Sequence, residues 1–478
     1  MSNHAAVEPE RQAERPAETV SRAEFLNLFG AVFLPMFMAA VDQTLLATAT
    51  PAIAASLGGL RDTSWIAVGY LLASATIVPV YGRLGDRRGR RDVLLVALGV
   101  FTLGSLACGL AQTLPQLVAA RILQGLGGGG LMTLSQALIG ELVPPRERAR
   151  FQAYFALVFT AASVTGPVVG GLVVSHASWR WLFFANLPIA VFAAWRLARL
   201  PKGEKHPPAA RGADLPGHVL FAVGALATLF WLTSGGHRFA WGSAPSLALL
   251  ATGVVALGLL WRQERRHPAP FLPVELMRER TVALSVVVVG LFASCLFSVV
   301  FFLPVYLQLG HEMSAQASGL LLLPVTAGMV VASTTSSRIL ARTGRPHWIP
   351  VTGLSLSSAA LFALALVPSD TTLIGCLAFI TGLGFGCVMP TTNVTLQMVA
   401  GRQRLGVVTA LMALARSTGG AAGAALFGAV AFALMPAAAH GRSVMSAFHA
   451  GFLLFAVVAA AAAFAASRIP PLKLWDRE

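Results

Sequence analysis

Residues 25–46 read FLNLFGAVFLPMFMAAVDQTLL, an apolar run carrying a single carboxylate, Asp42, near its end. A run of about 20 such residues crosses the hydrocarbon core of a bilayer as a helix. An acidic side chain inside that core is costly and marks a functional site by default. A second charge, Arg121, lies in the apolar stretch 117–139 and is its natural partner. Counted along their helices, Asp42 and Arg121 differ in depth by only about 3 Å at 1.5 Å rise per residue. The pair reads either as a proton-binding carboxylate balanced between burial and a cation, or as a static ion pair holding two helices in register.

Runs of the same kind recur along all 478 residues, of which 56 % are hydrophobic and 12 % charged, with a mean hydropathy of +0.72. A soluble domain carries about twice that charged fraction. Fourteen spans follow: 25–47, 65–82, 92–111, 117–140, 151–174, 181–200, 216–234, 245–262, 281–306, 317–340, 348–367, 371–397, 405–433 and 446–467. Lipid offers the backbone no hydrogen-bond partners, so each is expected to be a helix. The fold class is all-α integral membrane.

The formal charge of +15 has a topological reading. With both termini cytoplasmic, 29 of the 35 Lys and Arg residues fall on the cytoplasmic side, and only Arg61, Arg180, Arg238 and Arg442 fall outside. That is the positive-inside rule, so no nucleic-acid partner is expected, and the plasma membrane is the expected location. Residues 1–24 and 468–478 read as cytoplasmic tails, the first disordered and without the pattern of a secretory signal. The four cysteines all lie in apolar spans, with neither disulfide nor metal-ligand spacing. No metal site is expected.

An internal repeat sets the architecture. The stretch from Gln124 to Met132 lies over Thr381 to Met389, and Thr165 to Gly170 over Thr418 to Gly423. The loop after span 2 matches the loop after span 10 through Arg83/Arg338, Gly89/Gly344 and Arg90/Arg345. Two pseudo-symmetric six-helix bundles, 25–200 and 281–467, are expected around an inserted segment, 201–280, holding two extra helices and basic linkers. Two such bundles about a midplane cavity form the plan of an alternating-access carrier. Charge sits only in the first half: Ala378, Phe297 and Ala341 stand where Arg121, Asp42 and Asp86 would repeat.

The loop Gly82-Arg83-Leu84-Gly85-Asp86-Arg87-Arg88-Gly89-Arg90-Arg91 needs a tight turn at Gly89. Its Asp86 is placed to accept from helix N-terminal amides or from an arginine. Composition alone would make it a positive-inside loop, but its order closely resembles the loop signature of the major facilitator superfamily. Arg121-Ile122-Leu123-Gln124-Gly125 resembles that family's fourth-helix signature, and Gly166-Pro167-Val168-Val169-Gly170-Gly171 its antiporter signature. Val41-Asp42-Gln43-Thr44, followed by the helix-breaking Thr50-Pro51, resembles the first helix of the fourteen-span drug/proton antiporters. There Ala47, Thr48 and Ala49 depart from the usual pattern, and an amide is missing.

The resemblance implies proton coupling at Asp42 and Arg121, beside Gln124. It implies a cytoplasmic gate at Gly82, Asp86, Gly89 and Arg90 that locks against span 13. Arg416, in span 13, either pairs with Asp86 or snorkels to the interface. Gly166, Pro167, Gly170 and Gly171 shape span 5; close helix packing explains their small-residue spacing equally well. Gln43, Ser298, Asn393 and Gln397 are candidate cavity residues, with polar packing as the alternative. The function implied is export of small amphiphilic compounds in exchange for protons, by a monomer without ATP or another cofactor. A dedicated exporter of one endogenous metabolite or lipid is the alternative, and a non-transporting membrane sensor a more distant one. Gly125 to Gly130 spells a dinucleotide fingerprint, but inside an apolar span it lacks the strand and aqueous helix end that motif needs. No nucleophile, base or metal constellation points to an enzyme.

Overall fold

The computed structural model describes residues 22–142, 148–201, 214–235, 238–267, 274–366, 370–400, 405–435 and 442–471. Most of both expected tails, 1–21 and 472–478, and the linker segments 202–213 and 268–273 lie outside the described residues. Regular structure among the described residues is helical, apart from one isolated bridge between Gly235 and Phe239. Thirteen helical stretches are long and apolar enough to cross a membrane; the fourteenth expected span shows a shorter described apolar stretch, Ala161–His176.

The first bundle comprises α1 (Arg22–Leu57), α2 (Ser64–Arg88), α3 (Arg90–Leu110), α4 (Leu114–Leu142), α5 (Arg148–His176), α6 (Trp181–Phe184) and α7 (Asn186–Ala198). The inserted pair is α8 (Leu215–Ser234) and α9 (Ala244–Glu264), followed by the short α10 (Val274–Met277). The second bundle comprises α11 (Arg280–Gly310), α12 (Ala315–Leu320), α13 (Leu323–Thr343), α14 (Trp348–Leu366), α15 (Thr371–Gly386), α16 (Val388–Ala400), α17 (Leu405–Leu434) and α18 (Arg442–Ser467).

Three spans are thus each built of two helices, and proline accounts for the breaks. The interruptions at Ala185, at Leu321 and Leu322, and at Cys387 fall two or three residues before Pro188, Pro324 and Pro390, where a proline removes an amide and disfavours the helical conformation of its neighbour. In contrast, α1 does not end near Pro51 as its sequence suggests. It continues to Leu57 through Pro35 and Pro51, while the Thr48 and Thr50 hydroxyls donate to the carbonyls of Leu45 and Leu46. Side chains of this kind let a membrane helix tolerate proline.

The internal repeat is visible in the packing. In the first bundle α1 packs on α5, α2 on α4 and α3 on α7; in the second α11 packs on α17, α13 on α15 and α14 on α18. By span order the same three pairings occur in each half. The inserted α8 lies against α2 and α17, one helix from each bundle, with α9 packed on α8. Trp65 Nε1 donates to Thr233 Oγ1 (2.9 Å), and Arg238 pairs with Asp62 (2.8 Å).

The bundles meet closely at the end that carries Asp62. Gln308 of α11 donates to the Thr48 carbonyl of α1, and Arg61 donates to the Met435 carbonyl. A side chain on Gly171 of α5 would run into the Ala315 carbonyl of α12, and one on Gly428 of α17 would touch Ser64 of α2. At the opposite end the Asp86 side chain is 57 % exposed.

Candidate functional site

Midway along the first bundle, α1 and α4 bring Asp42 and Arg121 into contact. Arg121 NH1 donates to Asp42 Oδ2 at 2.5 Å, with the two side chains 0 % and 2 % exposed. Gln124, one helical turn from Arg121, donates from Nε2 to the other carboxylate oxygen at 2.9 Å and accepts from Arg121 NH1 through Oε1. Arg121 Nε donates to the Ile66 carbonyl of α2 (3.2 Å), and its guanidinium lies 4.3 Å from the centre of the Tyr70 ring. A planar cation with several donors suits this multiple engagement. Behind Gln124 the network runs on: its Nε2 also donates to Ser105 Oγ of α3, which accepts in turn from Asn186 Nδ2 of α7. Five of the six spans of the bundle, all but α5, converge on one carboxylate.

Sequence reasoning placed Asp42, Arg121 and Gln124 but missed Tyr70, Ser105 and Asn186. An asparagine buried in a span was the available signal for the last. Tyr70 is 1 % exposed and lies within electrostatic reach of Asp42, Arg121 and Arg416. Gln43 is buried beside the Tyr70 hydroxyl.

Arg416, on α17, is half-buried and lies within electrostatic reach of Tyr70 of α2. Asp86 pairs instead with Arg90, from its own loop, at 3.0 Å. Arg90 also donates to the Ala137 carbonyl of α4 (2.7 Å), and Arg91 to the carbonyls of Leu197 and Ala198 at the end of α7. Gly89 makes the turn with φ 96°, ψ 128°, a region open to glycine. Around Gly82 there is open space.

The glycines of the span 5 motif serve two faces. Side chains at Gly166 and Gly170 would collide with Thr44, Leu45 and Thr48 of α1, so these positions bring α5 against the helix of Asp42. Gly171 faces Ala315 and Gln316 of α12, and the Pro167 carbonyl faces Gly319. Among the second-bundle candidates, Ser298 is buried with its hydroxyl donating to Ser294 O (2.7 Å). Asn393 is half-buried and Gln397 exposed, both on α16. No hydrogen bond among the described residues joins these three to the Asp42 cluster.

Residues 32–424 match the Major Facilitator Superfamily. The multidrug transporter protein MdtP of Bacillus subtilis is 34 % identical over 406 residues, covering 84 % of this chain and 74 % of that protein. The tetracenomycin C resistance and export protein of Streptomyces glaucescens is 32 % identical over 434 residues, covering 90 % and 80 %. An uncharacterised transporter of the same superfamily from Mycobacterium tuberculosis is 35 % identical, and the chain spans 59 % of its length. In fold, the chain resembles a D-xylose–proton symporter (TM-score 0.67, 15 % identity, 94 % of this chain and 98 % of that one). It also resembles an inward-facing bacterial homologue of the lysosomal transporter Spinster (TM-score 0.63, 18 % identity, 94 % and 98 %). These relatives are transporters rather than enzymes, and the chain belongs to the Major Facilitator Superfamily as a multi-pass membrane transporter of small molecules.

Proposed function

We propose that the protein is a proton-coupled exporter of small amphiphilic compounds, of the fourteen-span drug/proton antiporter branch, working as a monomer by alternating access. The observation that carries this reading is the buried Asp42, held by Arg121 and Gln124 in a span-embedded network. In the proposed cycle, a proton arriving from outside neutralises Asp42, loosens its bonds and favours substrate release. Loss of that proton inside restores the cluster and permits reloading. The proton gradient supplies the drive, without ATP or another cofactor.

The distribution of basic residues supports cytoplasmic termini and a plasma-membrane location. On that orientation the Asp62 end, where the bundles meet, faces outward, and Asp86, Arg90 and Arg416 serve the inner gate. Export is supported by the names of the relatives, one a multidrug transporter and one an export protein for a single compound. The second of these also keeps the alternative of a dedicated exporter in view.

The test is ethidium efflux from cells lacking their own pumps, comparing wild type with Asp42→Asn, each with and without a protonophore. Efflux abolished by both the mutation and the protonophore is the expected result. Efflux indifferent to both overturns proton coupling at Asp42. No efflux from well-expressed wild type overturns the multidrug reading in favour of a dedicated exporter.

A further inference from the structure

The last turn of α11 carries chemistry that the Asp42 cluster does not use. Tyr306 is fully buried, and its hydroxyl sits between two imidazoles. Nε2 of His449, on α18, is 3.0 Å away, and Nε2 of His311, just past the end of α11, is 3.1 Å away. Both histidines are half-buried, so protons reach them while the phenol between them stays dry. Phe448 and Phe452 of α18 pack on the Tyr306 ring, and Phe427 of α17 packs on both. None of these rings titrates. The charged groups at this end among the described residues include Glu312, exposed beside His311, Arg442 at the start of α18, and, across the seam, Arg61, Arg180 and the Asp62–Arg238 pair.

A hydroxyl has one hydrogen. In the neutral array one imidazole donates its Nε2–H to the phenol oxygen, and the other accepts the phenol hydrogen. One added proton can settle on Nδ1 of the donating ring and leave both bonds in place; a second makes both Nε2 atoms donors toward the same oxygen. The phenol hydrogen then loses its acceptor in a buried place, which is costly. The array cannot hold a proton on each ring without rearranging.

That rearrangement would reach the seam between the bundles. Gln308, two residues after Tyr306, donates from Nε2 to the Thr48 carbonyl of α1 (3.1 Å) and to Ser318 Oγ of α12 (2.9 Å). The amide ties the first bundle to the second at their closed end. Its position depends on the helical turn that Tyr306 anchors.

We propose that His311, Tyr306 and His449 form a second proton-binding site, in the second bundle, whose full loading, one proton on each ring, releases the Gln308–Thr48 bridge and opens the Asp62 end. This rests on the carrier reading, because only a carrier has a closed end to release. Burial pushes the His311 imidazole down from its ordinary value of 6.5. The site therefore loads in an acidic compartment and stays empty in a neutral one, so the end opens toward the side that supplies protons for Asp42.

The experiment measures the distance across the Asp62 end of the full chain in lipid nanodiscs. Spin labels are placed at Ala55→Cys and Ser446→Cys, both exposed positions, with the native cysteines replaced. Acidifying from about pH 8 to about pH 5 is expected to raise the ratio of long to short distances about tenfold. His311→Gln and His449→Gln should abolish that shift, and Asp42→Asn should retain it. Tyr306→Phe keeps the ring packing but removes the bridge, and should give a raised ratio that ignores pH. A shift that survives in both histidine variants, that vanishes in Asp42→Asn, or that is absent from the parent overturns the proposal. A parent that exports dye yet shows no shift isolates this failure from a failure of the carrier reading.

Discussion

Asp42 on α1 and Arg121 on α4 are joined at 2.5 Å with almost no exposed surface, and Gln124 holds the carboxylate oxygen that Arg121 leaves. Both oxygens of Asp42 are therefore engaged within the first bundle. A proton bound there removes the charge that holds Arg121 and Gln124 and weakens both bonds. Neutralising Asp42 frees a guanidinium that also holds the Ile66 carbonyl of α2, so one protonation event acts on three helices together. The same geometry allows a purely structural pair, and stability measurements separate charge burial from coupling.

Asp42→Asn leaves Arg121 buried against a neutral amide, the costly half of a broken buried pair, about 3–5 kcal/mol. Arg121→Gln should cost less, because the orphaned Asp42 can take up a proton and become neutral. The double variant Asp42→Asn/Arg121→Gln should recover much of the Asp42→Asn loss while staying inactive in proton-coupled flux. Thermal unfolding of the purified variants in one detergent ranks them. A double variant no more stable than Asp42→Asn would show that the loss is not one of charge burial.

The loop pair Asp86–Arg90 should behave in the opposite way. It is an exposed pair four residues apart, with Asp86 57 % exposed, and such pairs contribute about 0.3–0.5 kcal/mol. Asp86→Asn should shift the melting temperature little yet slow transport strongly, if the loop works as a gate. Flux and melting temperature measured on one preparation check this. A loss of activity proportional to a loss of folded protein would make the loop merely structural.

Much of this arrangement was legible in the chain. Apolar runs of bilayer length have one backbone solution in lipid, and depth counting along spans 1 and 4 placed Asp42 beside Arg121 because a helix rises evenly. The repeat anticipated the matched pairings of α1 with α5 and α11 with α17. Proline was harder to read: Pro188, Pro324 and Pro390 break their spans, whereas α1 passes through Pro51, because threonine hydroxyls and packing decide each case. Tyr70 stayed hidden since an aromatic in an apolar span looks like core until a guanidinium is seen above it. Arg416 was expected toward Asp86 or the interface; it lies within electrostatic reach of Tyr70 on α2, against which α17 packs. The His311–Tyr306–His449 array has no local signature, because His449 lies on α18, far along the chain from Tyr306 and His311 at the end of α11.

Closure of the Asp62 end depends on backbone contact between α5 and α12. The Gly171 Cβ position lies 2.6 Å from the Ala315 carbonyl oxygen, and a backbone atom cannot move aside as a flexible side chain can. Gly171→Leu should hold the bundles apart at this end, while Gly99→Leu, at a position with open space around it, should not. Thiol-labelling rates of Ser64→Cys, buried against Gly428 of α17 at this end, measure the opening in each background. Equal rates would show that α12 yields and that the seal lies elsewhere.

The pH dependence of stability gives an independent reading of His311. Burial holds its imidazole below the ordinary value of 6.5, so on acidification the unfolded chain takes up this proton before the native state does. The contribution of His311 is therefore fully present above about pH 6.5 and declines as pH falls through that value toward the native one. His311→Gln removes this proton uptake and should flatten the fall in melting temperature between about pH 7 and about pH 5. Above pH 7 the two proteins should run parallel. A slope as steep in His311→Gln as in wild type would assign the acid sensitivity to other groups.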